Sequence, residues 1–76
     1  MIIKRIEGNR KEFLELLLIG DEQESMIDRY LEQGEMYVGY IKGKAVAVCV
    51  ITRESPDEIE VKNLAVYKEF RRKGYG

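Results

Sequence analysis

The sequence predicts an α+β fold: a strand, two helices, then a three-strand antiparallel meander that ends in an anion-binding loop. Three observations carry this expectation. Apolar residues recur at helical spacing between Phe13 and Leu31. From Glu35 onward the period shortens toward two, and Val, Ile and Tyr dominate. The end of the sequence, Arg71 to Gly76, combines three cations with two glycines.

Taken in order, "MIIKRI" is strand-like, with Ile2, Ile3 and Ile6 as its apolar members. Asn9 followed by Glu12 resembles a capping box, and "EFLELLLI" continues as a helix with Phe13, Leu16 and Leu17 on one face. Gly20 is expected to end it. Asp21 and Ser25 are rival N-caps for a second helix, whose apolar stripe is Met26, Ile27, Tyr30 and Leu31 and whose stop is Gly34.

"EMYVGYI" and "AVAVCVITR", joined by "KGK", read as an antiparallel hairpin. The second run is apolar on both parities, which predicts helices on each side of the sheet. Two helices over about four strands nevertheless leave one face incompletely covered. "ESPDE" makes the next turn, because Pro56 cannot donate to a ladder.

The last strand, "EIEVKNLAVY", contains a phase error. Ile59 and Val61 share one parity, and Leu64 and Val66 share the other. A β-bulge near Asn63 would bring all four to one side. Burial of both faces is the other reading, with Glu60 and Lys62 reaching past the edge. A bulge also frees ladder N–H and C=O groups for a ligand.

Composition narrows the function classes. The 76 residues suit one small domain with a limited core. Thirteen Lys and Arg balance fourteen Asp and Glu, so bulk charge gives no reason to expect nucleic acid. The single cysteine, Cys49, lies in an apolar run and reads as a small buried hydrophobe; no disulfide, metal cluster or histidine base is available to it. The N-terminus lacks a signal-peptide core, and no apolar run approaches membrane-spanning length, so a cytoplasmic location with no membrane partner is expected.

The end of the sequence carries the chemistry. Gly74 and Gly76 permit positive φ and close approach to the backbone, where consecutive N–H groups converge on an anion. Arg71, Arg72 and Lys73 add cations suited to phosphate oxygens. A helix beginning at Gly76 would aim its free N–H groups into the same space. Physically this is a pyrophosphate cradle, although a basic loop with turn glycines has the same composition. Neither common nucleotide loop is present.

"NLAVYKEFRRKGYG" resembles the acetyl-CoA signature of the GNAT superfamily of N-acetyltransferases: Arg or Gln, two residues, Gly, one residue, then Gly or Ala, following a strand. Arg71, Gly74 and Gly76 fill those positions, and the order of elements matches the family's N-terminal half across essentially the whole chain. The resemblance implies acetyl-CoA as acetyl donor, with no metal. It implies main-chain bonds to the pantetheine arm around Leu64, Ala65 and Val66. It also implies pyrophosphate contacts from Arg71, Arg72, Lys73, Gly74, Tyr75 and Gly76.

The family's direct attack of an amine on the thioester implies a carboxylate helper. Glu60, four residues before Leu64, is the candidate general base, with Glu58 next and a simple surface ion pair as the alternative. The Leu64 N–H would then polarise the thioester carbonyl. In the family the second helix borders the acceptor cleft. Its acidic stretch, Asp21 to Glu35, suits a cationic amine or is merely solvated, and Tyr30, Tyr37 and Tyr40 are candidates to line the cleft.

The resemblance further implies a helix and more strands after Gly76, so residues 1–76 read as the N-terminal part of a single acetyltransferase domain. Two functions remain open at this point. One is an N-acetyltransferase acting on an amine of a small molecule or protein, with activity in the complete domain. The other is a non-catalytic CoA-binding or interaction module. As a fragment the chain would expose the edge of its last strand and one sheet face, and a homo-oligomer or another cover over them is expected.

Overall fold

The computed structural model describes residues 1–71. Strand β1 (Ile2–Ile6) leads through a 3-10 turn (Arg10–Phe13) into helices α1 (Leu14–Gly20) and α2 (Glu24–Gln33). Strands β2 (Glu35–Ile41), β3 (Lys44–Ser55) and β4 (Glu58–Val66) follow, and then one helical turn, α3 (Lys68–Arg71). The four strands form one antiparallel sheet in the order β1-β2-β3-β4, so the expected α+β meander is present.

Both helices pack on one face of this sheet. Leu16 and Leu17 of α1 and Ile27, Tyr30 and Leu31 of α2 meet Met36, Val38, Val48, Val50 and Ala65 from the strands. Eight large side chains are almost wholly removed from water, each worth about 1.5–3 kcal/mol of apolar burial. The expectation of helices on both sides is not met among the described residues. Val46, Val48, Val50 and Thr52 of β3 are buried beneath the helices, whereas Ala47, Cys49 and Ile51 are half-buried on the opposite, open face. Cys49 therefore lies outside the core, and partial burial alone pushes its thiol above the usual value.

The N-caps differ from the expected ones because other local hydrogen bonds take their place. Asn9 adopts the left-handed region (φ 53°) and makes no side-chain cap, so the capping box does not form; the Glu12 N–H bonds the Asn9 carbonyl instead. Neither Asp21 nor Ser25 caps α2. Gln23 holds that position, and Asp21 Oδ1 accepts the Gln23 N–H at 3.0 Å, an Asx turn ahead of the helix. Gly34 ends α2 as expected, its N–H on the Tyr30 carbonyl at 2.8 Å. Arg10 completes that end: its guanidinium bonds the Leu31 and Gly34 carbonyls at 2.5 and 2.9 Å and the Ile6 carbonyl at 3.1 Å.

The β2–β3 hairpin turns on Lys42 and Gly43, both at positive φ, as a two-residue turn matched to strand twist requires. Pro56 and Asp57 make the two-residue turn into β4.

Candidate functional site

The irregularity in β4 falls where the sequence placed it. Val50 pairs with Asn63 and Ile51 with Val61, which leaves Lys62 as the extra residue of a bulge. The shift brings Ile59, Val61, Leu64 and Val66 to one side, opposite Arg53, Ile51, Cys49 and Ala47. That side is the open face rather than the core: Ile59, Val61 and Leu64 are 56, 55 and 67% exposed. Asn63 and Ala65 turn inward and are buried.

Register and hydrogen bonding together show which β4 backbone groups are free. The Tyr67 N–H bonds the Val46 carbonyl at 3.0 Å, which makes Val66 and Ala47 a non-hydrogen-bonded pair. By alternation Leu64 and Cys49 form another, so the N–H and C=O of Leu64 and Val66 point away from β3. Since β4 ends the sheet among the described residues, these groups face its free edge. Arg71 reaches that edge, its Nε donating to the Val66 carbonyl at 3.0 Å. Arg71 closes the helical turn α3, so this part of the expected loop is helical. Ala65 directs its side chain into the core, and its own N–H and C=O belong to the β3 ladder. Arg72, Lys73, Gly74, Tyr75 and Gly76 lie outside the described residues.

Glu60 pairs with Thr52 in register and so shares the helix-side face of the sheet. Its carboxylate meets the Lys62 ammonium at 3.0 Å. That contact, with a smaller contribution from Glu54, holds Glu60 below the usual carboxylate range. Glu58 pairs with Ser55 at the turn, at the far end of β4 from Leu64.

Beside this pair a cleft of about 410 Å³ opens between α2 and the ends of β3 and β4, with Asp21, Arg29, Tyr30, Thr52, Glu54 and Lys62 on its walls. Tyr30 is the one tyrosine of the three named above that lines it. The Tyr30 hydroxyl accepts from Asn63 Nδ2 at 2.9 Å and donates to Asp21 Oδ2 at 3.4 Å, and burial raises its pKa above that of a free phenol. Tyr37 stands on the open face instead, where it borders a shallow apolar cavity of about 310 Å³ with Ile3, Cys49, Leu64 and Val66. Tyr40 packs against the margin of the core.

Sequence reasoning located the bulge but missed what locks it. Asn63 Nδ2 also donates to the Leu17 carbonyl at 2.8 Å, tying the bulge to α1. The available signal was a lone polar side chain at the phase break of an apolar strand.

A family model described as "Acetyltransferase (GNAT) family" matches residues 6–76. The chain belongs to the GNAT family. It is 33% identical over 70 residues to an uncharacterized N-acetyltransferase, YvbK, of Bacillus subtilis (strain 168), a match covering 92% of this chain and 45% of that protein. Among solved structures it resembles a GNAT family acetyltransferase from Elizabethkingia anophelis with acetyl-CoA bound, at a TM-score of 0.88 and 27% identity, over 96% of this chain and 48% of that one. It also resembles a Bacillus subtilis acetyltransferase in complex with CoA, at a TM-score of 0.86 and 32% identity, over 97% and 49% of the two chains. This GNAT chain thus spans about half the length of the relatives it matches. Among its described residues no helix is long and apolar enough to cross a membrane.

Proposed function

We propose that these residues form the acetyl-CoA-binding portion of a cytoplasmic N-acetyltransferase that moves an acetyl group from acetyl-CoA to an amine. The observation that carries this reading is the free edge of β4 beyond the Lys62 bulge, with the Leu64 and Val66 backbone groups unpaired by the sheet. An amide-bearing pantetheine arm can bond such an edge as an added strand does. Arg71, beside that edge, and Arg72, Lys73, Gly74, Tyr75 and Gly76 would hold the pyrophosphate. The solved relatives with CoA or acetyl-CoA bound support the assignment.

In the reaction the amine nitrogen forms a bond to the thioester carbon and the C–S bond breaks. The electron pair stays on sulfur, which takes up a proton, leaving an N-acetyl amide and CoA. An ammonium with a pKa of about 10.4 must first lose a proton, at a cost of about 4–5 kcal/mol at pH 7. Glu60, ionised beside Lys62, accepts that proton's hydrogen bond directly or through water. Because Lys62 lowers its proton affinity, Glu60 orients and relays rather than stores the proton. The Leu64 N–H polarises the thioester carbonyl.

The test is calorimetric titration of the full-length protein that carries these residues with CoA and acetyl-CoA, together with thiol release in the presence of amines. Saturable binding that weakens in Arg71→Glu, and transfer that falls in Glu60→Gln with acetyl-CoA affinity kept, are the expected results. Absence of CoA binding would overturn the reading.

The exposed Ile59, Val61 and Leu64 favour a second reading, a non-catalytic module that covers this face by self-association. It requires acetyl transfer to be indifferent to Glu60→Gln. Light scattering that shows a monomer unfolding cooperatively would count against it.

A further inference from the structure

We propose that the cleft beneath α2 takes an acceptor of amino-acid class: a small amine that carries a carboxylate within a few bonds of its nitrogen. The inference rests on the N-acetyltransferase reading and deepens it.

The argument is the arrangement of charge around one cavity. On the α2 wall, the guanidinium of Arg29 has a single polar contact among the described residues, to the Met26 sulfur at 3.9 Å, and no carboxylate partner. On the opposite wall stand Glu54, which accepts from the Thr52 hydroxyl at 2.9 Å, and Lys62, whose ammonium is paired among the described residues with Glu60, a carboxylate beside the cleft, at 3.0 Å. Because the Lys62 ammonium is already matched by Glu60, the carboxylate of Glu54, with no cationic partner among the described residues, is the unmatched charge of this wall. Asp21, also on the cleft's lining, bonds among the described residues only the Gln23 N–H and the Tyr30 hydroxyl.

Groups of opposite sign thus line the same space of about 410 Å³ without pairing across it. The volume is within the range of small-molecule sites. A polyamine or a lysine side chain would be served by acids alone and would be repelled by Arg29. A zwitterion satisfies both walls: its ammonium meets Glu54, and its carboxylate takes a forked pair of bonds from Arg29. This orientation also places the nucleophilic nitrogen on the strand side of the cleft, where Lys62 is paired with Glu60.

Four other acids of the stretch from Asp21 to Glu35 are placed elsewhere, Glu32 bordering a separate groove with Lys11 and Asp28. Glu24 and Asp28 hold Lys11 at 2.6 and 2.5 Å, and Glu35 pairs with Arg53. They therefore do not add to the negative charge of the cleft.

The test measures acetyl transfer by CoA release, in the full-length protein that carries these residues, with three groups of acceptor: free amino acids, their methyl esters and amides, and polyamines. Free amino acids should exceed their esters in kcat/KM by about tenfold or more, the value of one charge-assisted bond pair. Arg29→Ala should raise KM for the free amino acids by about tenfold to a hundredfold. It should leave KM for the esters and the affinity for acetyl-CoA within about twofold, and Arg29→Lys should restore part of the loss. Because Arg29 is exposed, the variants should retain the wild-type circular dichroism spectrum.

Esters or polyamines acetylated as well as free amino acids, or an Arg29→Ala variant with unchanged KM, would overturn the proposal. Binding of CoA with no transfer to any member of the panel would also overturn it while leaving CoA recognition intact. Failure to bind CoA at all would remove the underlying reading.

Discussion

Gly20 and Asn63 approach so closely that a Cβ on Gly20 would stand 2.0 Å from Asn63 Oδ1 and 2.8 Å from its Cγ. The asparagine has no room to yield, since its Nδ2 is held by the Leu17 carbonyl and the Tyr30 hydroxyl. Alanine is ordinarily favoured over glycine in a helix by up to about 1 kcal/mol. Here the overlap reverses that sign, and Gly20→Ala should destabilise the protein by about 1–3 kcal/mol in urea unfolding. Pairing it with Asn63→Ala should give less than the sum of the two single losses. An additive pair would show that the contact does not govern the site.

Arg10 joins β1 to the end of α2 through three carbonyls, a connection that no helix propensity supplies. Arg10→Ala leaves the Leu31 and Gly34 carbonyls without this donor and should cost about 1–3 kcal/mol. Arg10→Met, which keeps most of the apolar stem, should lose nearly as much if the bonds rather than the packing are responsible. Chemical denaturation of the two variants separates these contributions.

The parts of this structure that were legible in the sequence are those that depend on period. The order of elements, the Lys42–Gly43 hairpin and the irregularity beside Asn63 all follow from local spacing. The N-caps were not legible, because Asn9 takes the left-handed region and Asp21 spends its carboxylate on an Asx turn to Gln23; nor was the Arg10 clamp at the other end of α2, which reaches carbonyls 21 and 24 residues away. The covering of β3 was misread for a related reason. Apolar residues on both parities show that both faces avoid water, but they do not say what lies against each. The candidate edge at Leu64 and Val66 was legible as a phase break. A cleft beside the second helix with Tyr30 on its wall was legible only through the family resemblance; its strand wall of Thr52, Glu54 and Lys62 was not, because only the folding of β3 and β4 brings those residues opposite α2.

Glu35 gathers Arg53, the Tyr37 hydroxyl at 3.0 Å and Arg5 at 3.8 Å on the open face. The Arg53 hydrogen bond foremost, then that of Tyr37, holds its carboxyl below the ordinary range. A value depressed in the folded state contributes stability that is complete above the ordinary glutamate pKa of about 4.3 and is lost as pH falls through the folded value. Thermal midpoints should therefore drop less steeply between pH 6 and pH 3 in Glu35→Gln than in the parent protein. The pairs are on the surface, so salt should shrink the difference. Identical pH profiles for the two proteins would refute the assignment.

Proline distinguishes the free edge of β4 from its paired edge. The Leu64 N–H points away from β3, so Leu64→Pro removes a donor the sheet does not use, and edge strands tolerate proline at such positions. The Ala65 N–H faces β3, opposite Val48, and Ala65→Pro takes a bond from the ladder and places a ring against the core. Leu64→Pro should accordingly keep cooperative unfolding with a modest loss of stability, whereas Ala65→Pro should lose about 3 kcal/mol or more. If the Leu64 N–H bonds the donor substrate, Leu64→Pro should also weaken acetyl-CoA binding by about threefold to tenfold, the worth of one neutral hydrogen bond. Calorimetry on Leu64→Pro and Leu64→Ala decides the matter, because the alanine keeps the N–H and should bind as the parent does. Equal affinity in both variants would mean that acetyl-CoA does not use this edge.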